Sequence, residues 1–437
     1  MKIIYPEDRS YDRWLKKMNR RSTPDPKVRA VVEEILAAVR EEGDVALLRY
    51  TEKFGGPQLN PSELYVSPAE LAAARRQLPD ETHKAIRTAR TNVRAFAKKS
   101  LRKSWFMKNK QGAIVGERFD PFQRVGIYVP GGTAPLVSSA IMTCTLAATA
   151  GVPQIVVVTP PASDGSLHPA LLGALVECGA TEVYRAGGAQ AIAALALGTK
   201  MILPVQKIFG PGNAYVVEAK RQCFGEVAID LLPGPSEILV IADNTATPAW
   251  VAADLLAQCE HGLGSVAVLV TDSRRILKEV AAELKKQIPL SGRARELAKA
   301  LRNAALILVP DLAAAVTVAN QFAAEHVSIA TKSPGEIAQQ LHTSGAIFLG
   351  GLSPVAAGDF LAGPSHELPT GGAGKSFAGL TVDQFQRRTS MVMFDEPSLK
   401  ASLPTLKTFS SIEGLDAHGR SATIRIPKKP SKAKKTK

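Results

Sequence analysis

Seven histidines are spread through the 437 residues, and four of them stand beside acids, amides or glycines. His261 closes the run Gln258-Cys259-Glu260-His261, His326 follows Glu325, His366 comes shortly after Asp359, and His418 shortly after Glu413. His83, His168 and His342 have no such company. Gln258 and His261 are three apart at the end of a predicted helix, which puts both side chains on one face, and Gly262 suits the helix end. Cys259 points about 100° away from Gln258 and is the wrong side chain for the same ligand. With Asp359, an amide oxygen, a carboxylate and imidazole nitrogens make a borderline donor set that suits Zn²⁺ and leaves positions open for a substrate. The donors come from distant segments, so spacing alone does not separate a metal site from structural histidines.

Glu325-His326 opens a predicted strand, and a strand end is a rigid place from which to project a base. An adjacent carboxyl and imidazole can divide two proton transfers, one activating water and one accepting a proton from an alcohol. A surface pair that happens to be adjacent has the same sequence. Three glycine turns are candidates for phosphate contact: Tyr128-Val-Pro-Gly-Gly-Thr, Gly187-Gly188-Ala189-Gln190 and Gly210-Pro-Gly-Asn213. Each falls at a strand end or helix start, where backbone approaches a dinucleotide closely in open α/β sheets. No GxGxxG follows any strand, and ordinary turn chemistry accounts equally well for each turn taken singly.

These residues need a scaffold. The first 120 residues are helical in pattern, with Val28–Tyr50 and Pro68–Lys99 carrying apolar residues at helical spacing. From Val125 onward, short β-branched runs alternate with alanine-rich helices. The predicted strands are Val125–Val129, Gln154–Thr159, Glu182–Arg185, Ile238–Ala242, Val266–Thr271, Leu306–Val309, Val327–Ala330 and Ala346–Leu349. Such alternation predicts an α/β fold of parallel sheets with helices on both faces. Eight strands suit two modest sheets, and Pro233-Gly234-Pro235 marks a junction between them. The glycine- and proline-rich stretch after Gly350 is too long for a plain linker and reads as functional. Two helical segments, Thr381–Arg388 and Leu399–Ser410, are predicted to follow, and the basic run Lys98–Lys110 reads as the end of a charged helix.

Hydrophobic residues make up 45% and charged residues 22%, ordinary values for a globular enzyme. No apolar run reaches the length of a membrane helix, the opening MKIIYPEDRS lacks the apolar core of a secretory signal, and four scattered cysteines suit a reducing cytoplasm. The net charge of +14 includes six lysines in the last ten residues, a tail read as a disordered, solubilising segment. Basic tails attract phosphates without specificity, so no nucleic-acid partner is expected.

Taken together, VGIYVPGGTAPL, AGGAQAIAALALGT, KIFGPGNAYVVEAKR, IDLLPGPSEILVIAD, DLLAQCEHG, AEHVSI, GDFLAGPSHELPTGG and EGLDAHGRS resemble the histidinol dehydrogenase family from about Gly43 to Arg425. The resemblance implies oxidation of L-histidinol to L-histidine with NAD, one Zn²⁺ per subunit, and a homodimer with shared active sites. It implies metal ligation by Gln258, His261, Asp359 and His418, the last from the partner subunit. It implies proton transfer by Glu325 and His326, NAD contacts by Tyr128, Gln190 and Asn213, and substrate contacts by Ser236, His366 and Glu413 as well as by His326 and the metal ligands. A zinc- and NAD-dependent dehydrogenase of the same superfamily acting on another small diol is the alternative. The implied fold is two incomplete Rossmann-like domains with small helical ends. The expected boundaries are a helical arm over 1–24, one discontinuous domain over 25–127 and 238–379, a second over 128–237, a dimerisation and active-site segment over 380–426, and the tail over 427–437. Three positions depart from the family pattern: Pro233 and Cys259, where alanine is usual, and Ser365, where asparagine is usual.

Overall fold

The computed structural model describes residues 1–19, 25–131 and 135–426. The lysine tail therefore lies outside the described residues, as do Gly132 and Thr133 of the first glycine turn. The strands, in chain order, are β1 (Lys2–Ile4), β2 (Trp105–Lys108), β3 (Ile114–Pro121), β4 (Arg124–Tyr128), β5 (Gln154–Thr159), β6 (Glu182–Arg185), β7 (Lys207–Phe209), β8 (Ala228–Ile229), β9 (Glu237–Ala242), β10 (Val266–Thr271), β11 (Ala305–Leu308), β12 (His326–Ala330), β13 (Ala346–Leu349) and β14 (Gln386–Met393).

The chain divides into two units. The larger, Met1–Ser100 with Phe122–Phe385, holds two wholly parallel sheets. One has the order β6-β5-β4-β7-β8 and the other β1-β11-β10-β9-β12-β13. Parallel strands covered on both faces must be apolar on both faces, and β9, reading EILVIA, is buried at every position. Alternate residues feed opposite cores. Ile238, Val240, Leu269 and Leu306 enter one cluster, while Leu239, Ile241, Val268 and Val327 enter the other. Each fully buried aliphatic side chain of this kind contributes about 1.5–3 kcal/mol. The strand order reverses between β4 and β7 in one sheet and between β9 and β12 in the other, and such reversals open crevices at strand ends.

The parallel α/β architecture and the eight sequence-predicted strands are present, most of them within a residue of their expected bounds. The residues on either side of Pro233-Gly234-Pro235 belong to different sheets, as expected. The expected domain grouping needs correction. Val32, Ile35, Leu36 and Val39 of the helix Pro26–Glu42 pack with Val156, Val158 and Ile192, so this helix joins the five-stranded sheet, not the sheet of 238–379. β4, placed at the end of that first domain, is the central strand of the five-stranded sheet. The 1–24 arm is not wholly helical, because β1 pairs with β11 and buries Ile4.

The smaller unit is Leu101–Pro121 with Gln386–Lys437. Its sheet is antiparallel, in the order β14-β3-β2. Two local readings are overturned here. The basic run leaves its helix at Ser100 and becomes β2, and Thr381–Arg388 is a 3₁₀ turn, Val382–Phe385, leading into β14. The pairing of Gln386 with Pro121 joins segments far apart in sequence, which local periodicity cannot report. The unit ends in the helices Glu396–Ile412 and Asp416–Thr423.

Candidate active site

The amino ends of β9 and β12 lie side by side, His326 being in register with Ile238. This places the Glu325-His326 pair against the Ser236-Glu237 turn. The Glu237 backbone organises both residues: its N–H donates to Glu325 Oε2 at 2.8 Å, and its carbonyl lies 3.2 Å from His326 Nδ1. A carbonyl only accepts, so Nδ1 carries the proton and Nε2 keeps its lone pair. Both side chains are buried, Glu325 to 6% and His326 to 3% exposure. Burial pushes the His326 imidazole down to about 4, partly opposed by the Asp359 charge, so at neutral pH it is an uncharged base. Burial raises Glu325 well above the usual carboxylate range, and the neighbouring charges of Glu237 and Asp359 add to this. Backbone and Ser236 hydroxyl donors act in the other direction.

His326 Nε2 faces Asp359 Oδ1 at 3.6 Å. Two acceptors so close leave a place for a donor between them. Asp359 lies in the short helix Val355–Phe360 and not in open loop. Its charge also reaches His261 and His366. The His261 imidazole is held below its ordinary value, first by desolvation and then by His366, with Asp359 opposing. His366 is half-buried; desolvation opposes its charge, but the Glu367 carboxylate at 3.5 Å and Asp359 outweigh this and raise it. Ser139 Oγ stands 3.3 Å from His366 Nε2, bringing the start of the helix after β4 to the cluster. Ser365 is buried and its hydroxyl accepts from the Glu367 N–H at 3.2 Å.

Gln258 sits in the last turn of the helix Pro248–Cys259 with 2% exposure, and both atoms of its amide lack a hydrogen-bond partner among the described residues. A buried amide without partners costs free energy, which makes this amide available to a ligand. Cys259 turns into the core instead, as its helical angle demands. An available amide oxygen, the His261 imidazole and the Asp359 carboxylate whose charge reaches it make a donor set whose chemistry fits a divalent zinc ion. Among the described residues no three His, Cys, Asp or Glu side chains form a ready metal cluster. Only His261 and Asp359 of the candidate ligands in the larger unit are of those types. Glu413 and His418 belong to the smaller unit, where both are exposed. Glu413 caps the helix Glu396–Ile412 and His418 lies on Asp416–Thr423.

The glycine turns converge at the carboxyl ends of the five-stranded sheet. A Cβ on Gly210 would meet the Tyr128 carbonyl oxygen at 2.1 Å, and Cβ atoms on Gly131 and Gly187 would both strike Pro160. The Tyr128 hydroxyl accepts from the Gly188 N–H at 3.2 Å, and Gln190 Oε1 is buried without a partner among the described residues. Beneath the crevice a fully buried Lys220–Asp230 ion pair holds the third turn, Lys220 donating to the Gly210 carbonyl and Asp230 accepting the Gly210 N–H. Asn213 caps the helix Ala214–Cys223, its Oδ1 accepting from the Tyr215 and Val216 N–H groups, so only its amide N–H₂ is free for a ligand. Asn213→Ala is therefore expected to lower stability by about 1 kcal/mol and to raise KM for NAD⁺. A melting curve and NAD⁺ titration check this, and an unchanged KM refutes the contact.

Sequence reasoning overlooked Glu237, although the GPSE turn contains it, because its backbone does the organising. The three remaining histidines are structural or exposed. His83 Nε2 bonds the Arg75 carbonyl, His168 caps the helix Pro169–Cys178, and His342 faces solvent.

Two parallel sheets, with a buried carboxyl–imidazole pair at the amino end of a strand in one and a glycine-lined crevice at the carboxyl ends of the other, make an α/β protein of the enzyme class. The family model described as histidinol dehydrogenase matches residues 18–426, and the chain belongs to that family of oxidoreductases. It is 44% identical to the histidinol dehydrogenase of Geobacillus kaustophilus over 92% of this chain and 94% of that one. It is 43% identical to that of Heliobacterium mobile over 98% and 99%. The crystal structure of the Elizabethkingia anophelis histidinol dehydrogenase superposes with a TM-score of 0.92 at 32% identity, covering 97% of this chain and 98% of that one.

Proposed function

We propose that this chain catalyses the zinc-dependent, four-electron oxidation of L-histidinol through L-histidinaldehyde to L-histidine, consuming two NAD⁺, in the last steps of histidine biosynthesis. Family membership supports the substrate. The observation that carries the chemistry is the buried Glu325–His326 pair facing Asp359, together with a Gln258 amide that has no hydrogen-bond partner among the described residues. Gln258, His261 and Asp359, with His418 of the partner subunit, would hold the zinc, which supplies a fixed template for the nitrogen atoms of the substrate.

His326 Nε2, neutral and bare, takes the hydroxyl proton as the carbinol carbon loses hydride to NAD⁺, the second substrate. That step forms the aldehyde. Glu325 then takes a proton from water as the water adds to the aldehyde, and the hydrate loses a second hydride to a second NAD⁺. A carboxyl whose affinity for protons is raised by burial is, once ionised, a stronger base for this than an ordinary one. Ser236 orients Glu325, while Ser236, His366 and Glu413 would contact the substrate. Tyr128, Gln190 and Asn213 would contact NAD⁺ in the crevice, whose glycine turns allow close backbone approach.

The shared-site homodimer is supported by the smaller unit. Phe106, Val392, Phe409, Ile412 and Ile424 are exposed there, Ile412 to 74%, and apolar exposure on that scale marks an interaction face. No described helix is long and apolar enough to cross a membrane, and all four cysteines are free and buried, in keeping with a cytoplasmic enzyme.

The test counts NADH formed per histidinol consumed by zinc-loaded protein. Two NADH per histidinol, with histidine as product, is the expected result. No turnover would move the reading to another small diol. Removal of zinc by a chelator is expected to abolish turnover and its return to restore it. Full activity after verified metal removal would refute the template role.

A further inference from the structure

Behind the candidate active site lies a cavity of about 120 Å³ lined by Trp250, Asp254, Ser328, Thr331 and Gly351 among others. It lies at the carboxyl side of the six-stranded sheet's reversal point, away from the Glu325–His326 edge. Asp254 is its only charged lining residue, and no role in the reaction described above uses it. Its carboxyl lines the cavity together with the Ser328 hydroxyl and faces the Val355 backbone N–H, and both groups favour its charged form. Burial raises it to about 6 in spite of both donors, so the group is held in a place where a carboxyl is costly.

The three attachments have one pattern. Asp254 is one helical turn before Gln258 on Pro248–Cys259, so the two share a face. Val355 is one turn before Asp359 on Val355–Phe360, and the two helices pack together. Ser328 is two residues after His326 on β12, on the same side of the strand, while Val327 and Ile329 point into the opposite core. A single carboxyl thus stands where the three elements that present Gln258, Asp359 and His326 meet, each at one structural repeat from its working side chain.

We propose that Asp254 is a positioning residue that sets the spacing of Gln258, Asp359 and His326, and through them the geometry of the metal and proton-transfer site. The inference rests on the proposed zinc-dependent function. Gln258 most needs such help, since no described residue bonds its amide. Outer partners of metal ligands typically change metal affinity or activity 10–100-fold when removed.

The experiment compares wild type, Asp254→Ala, Asp254→Asn and Ser328→Ala as full-length protein. Zinc affinity is read by competition with a chromophoric chelator, kcat and KM for histidinol by NADH formation, and melting temperature on the zinc-free form. Asp254→Ala is expected to weaken zinc binding and lower kcat by about 10–100-fold each, with KM for NAD⁺ unchanged. Asp254→Asn, which keeps an acceptor oxygen, is expected to recover most of that loss. If Asp254→Ala does not fold, Ser328→Ala carries the test, because it removes one attachment and is expected to cost several-fold in both quantities. Wild-type zinc affinity and kcat in the folded variants, or a fall in melting temperature alone, would overturn the proposal. A wild-type protein that neither binds zinc nor oxidises histidinol would overturn the functional reading and this inference with it, whereas active wild type with unaffected variants overturns only the inference.

Discussion

His326→Gln is expected to slow histidinol oxidation by about 10²–10⁴-fold, the usual contribution of a positioned general base. Glutamine fills a similar space, and its amide can still donate to the Glu237 carbonyl that now receives the Nδ1 proton. It cannot accept a proton at the position of Nε2, so the alcohol loses its base while the surroundings are preserved. His326 is not a proposed ligand, and zinc content is expected to stay at the wild-type level. Stopped-flow measurement of the first NADH, with metal analysis of the same sample, checks both expectations. A first-step rate within about threefold of wild type would remove His326 from the role of base.

Glu325→Gln separates the two oxidations. The aldehyde step is expected to fall by about 10²–10⁴-fold and the alcohol step far less, because only the former needs a base to activate water. The variant would then release about one NADH per histidinol instead of two, and aldehyde supplied directly would turn over slowly. The amide oxygen of the substituted side chain can still accept the Glu237 N–H bond, and burial already disfavours the Glu325 charge, so little stability is expected to be lost. Equal loss in both steps would show that Glu325 and His326 act as one unit.

The fold was legible where a strand is buried on both faces. β5, β9 and β10 read as continuous β-branched runs because helices cover them above and below, and local composition reports that burial. It was not legible in β2, β3 and β14. β2 is exposed, β14 largely so and β3 half-buried; their residues carry charges and aromatics without alternation, and β14 reaches β3 from far along the chain. The domain grouping failed for a related reason. The apolar stripe on Pro26–Glu42 showed that the helix is buried, but not against which sheet.

The sequence by itself determined the chemistry available: which side chains can take protons, which can bind a metal, where glycine lets backbone approach a ligand, and which stretches must be buried. Those properties belong to single residues and short periodic runs. Only the tertiary structure decided how they combine. It set the Glu237 backbone against both Glu325 and His326, turned Asp359 toward His326 Nε2, left the Gln258 amide buried without a hydrogen-bond partner among the described residues, and brought Asp254 and Ser328 into one cavity. Each of these depends on residues far apart in the chain meeting at contact distance, and on burial that changes what a carboxyl or an imidazole does with its proton.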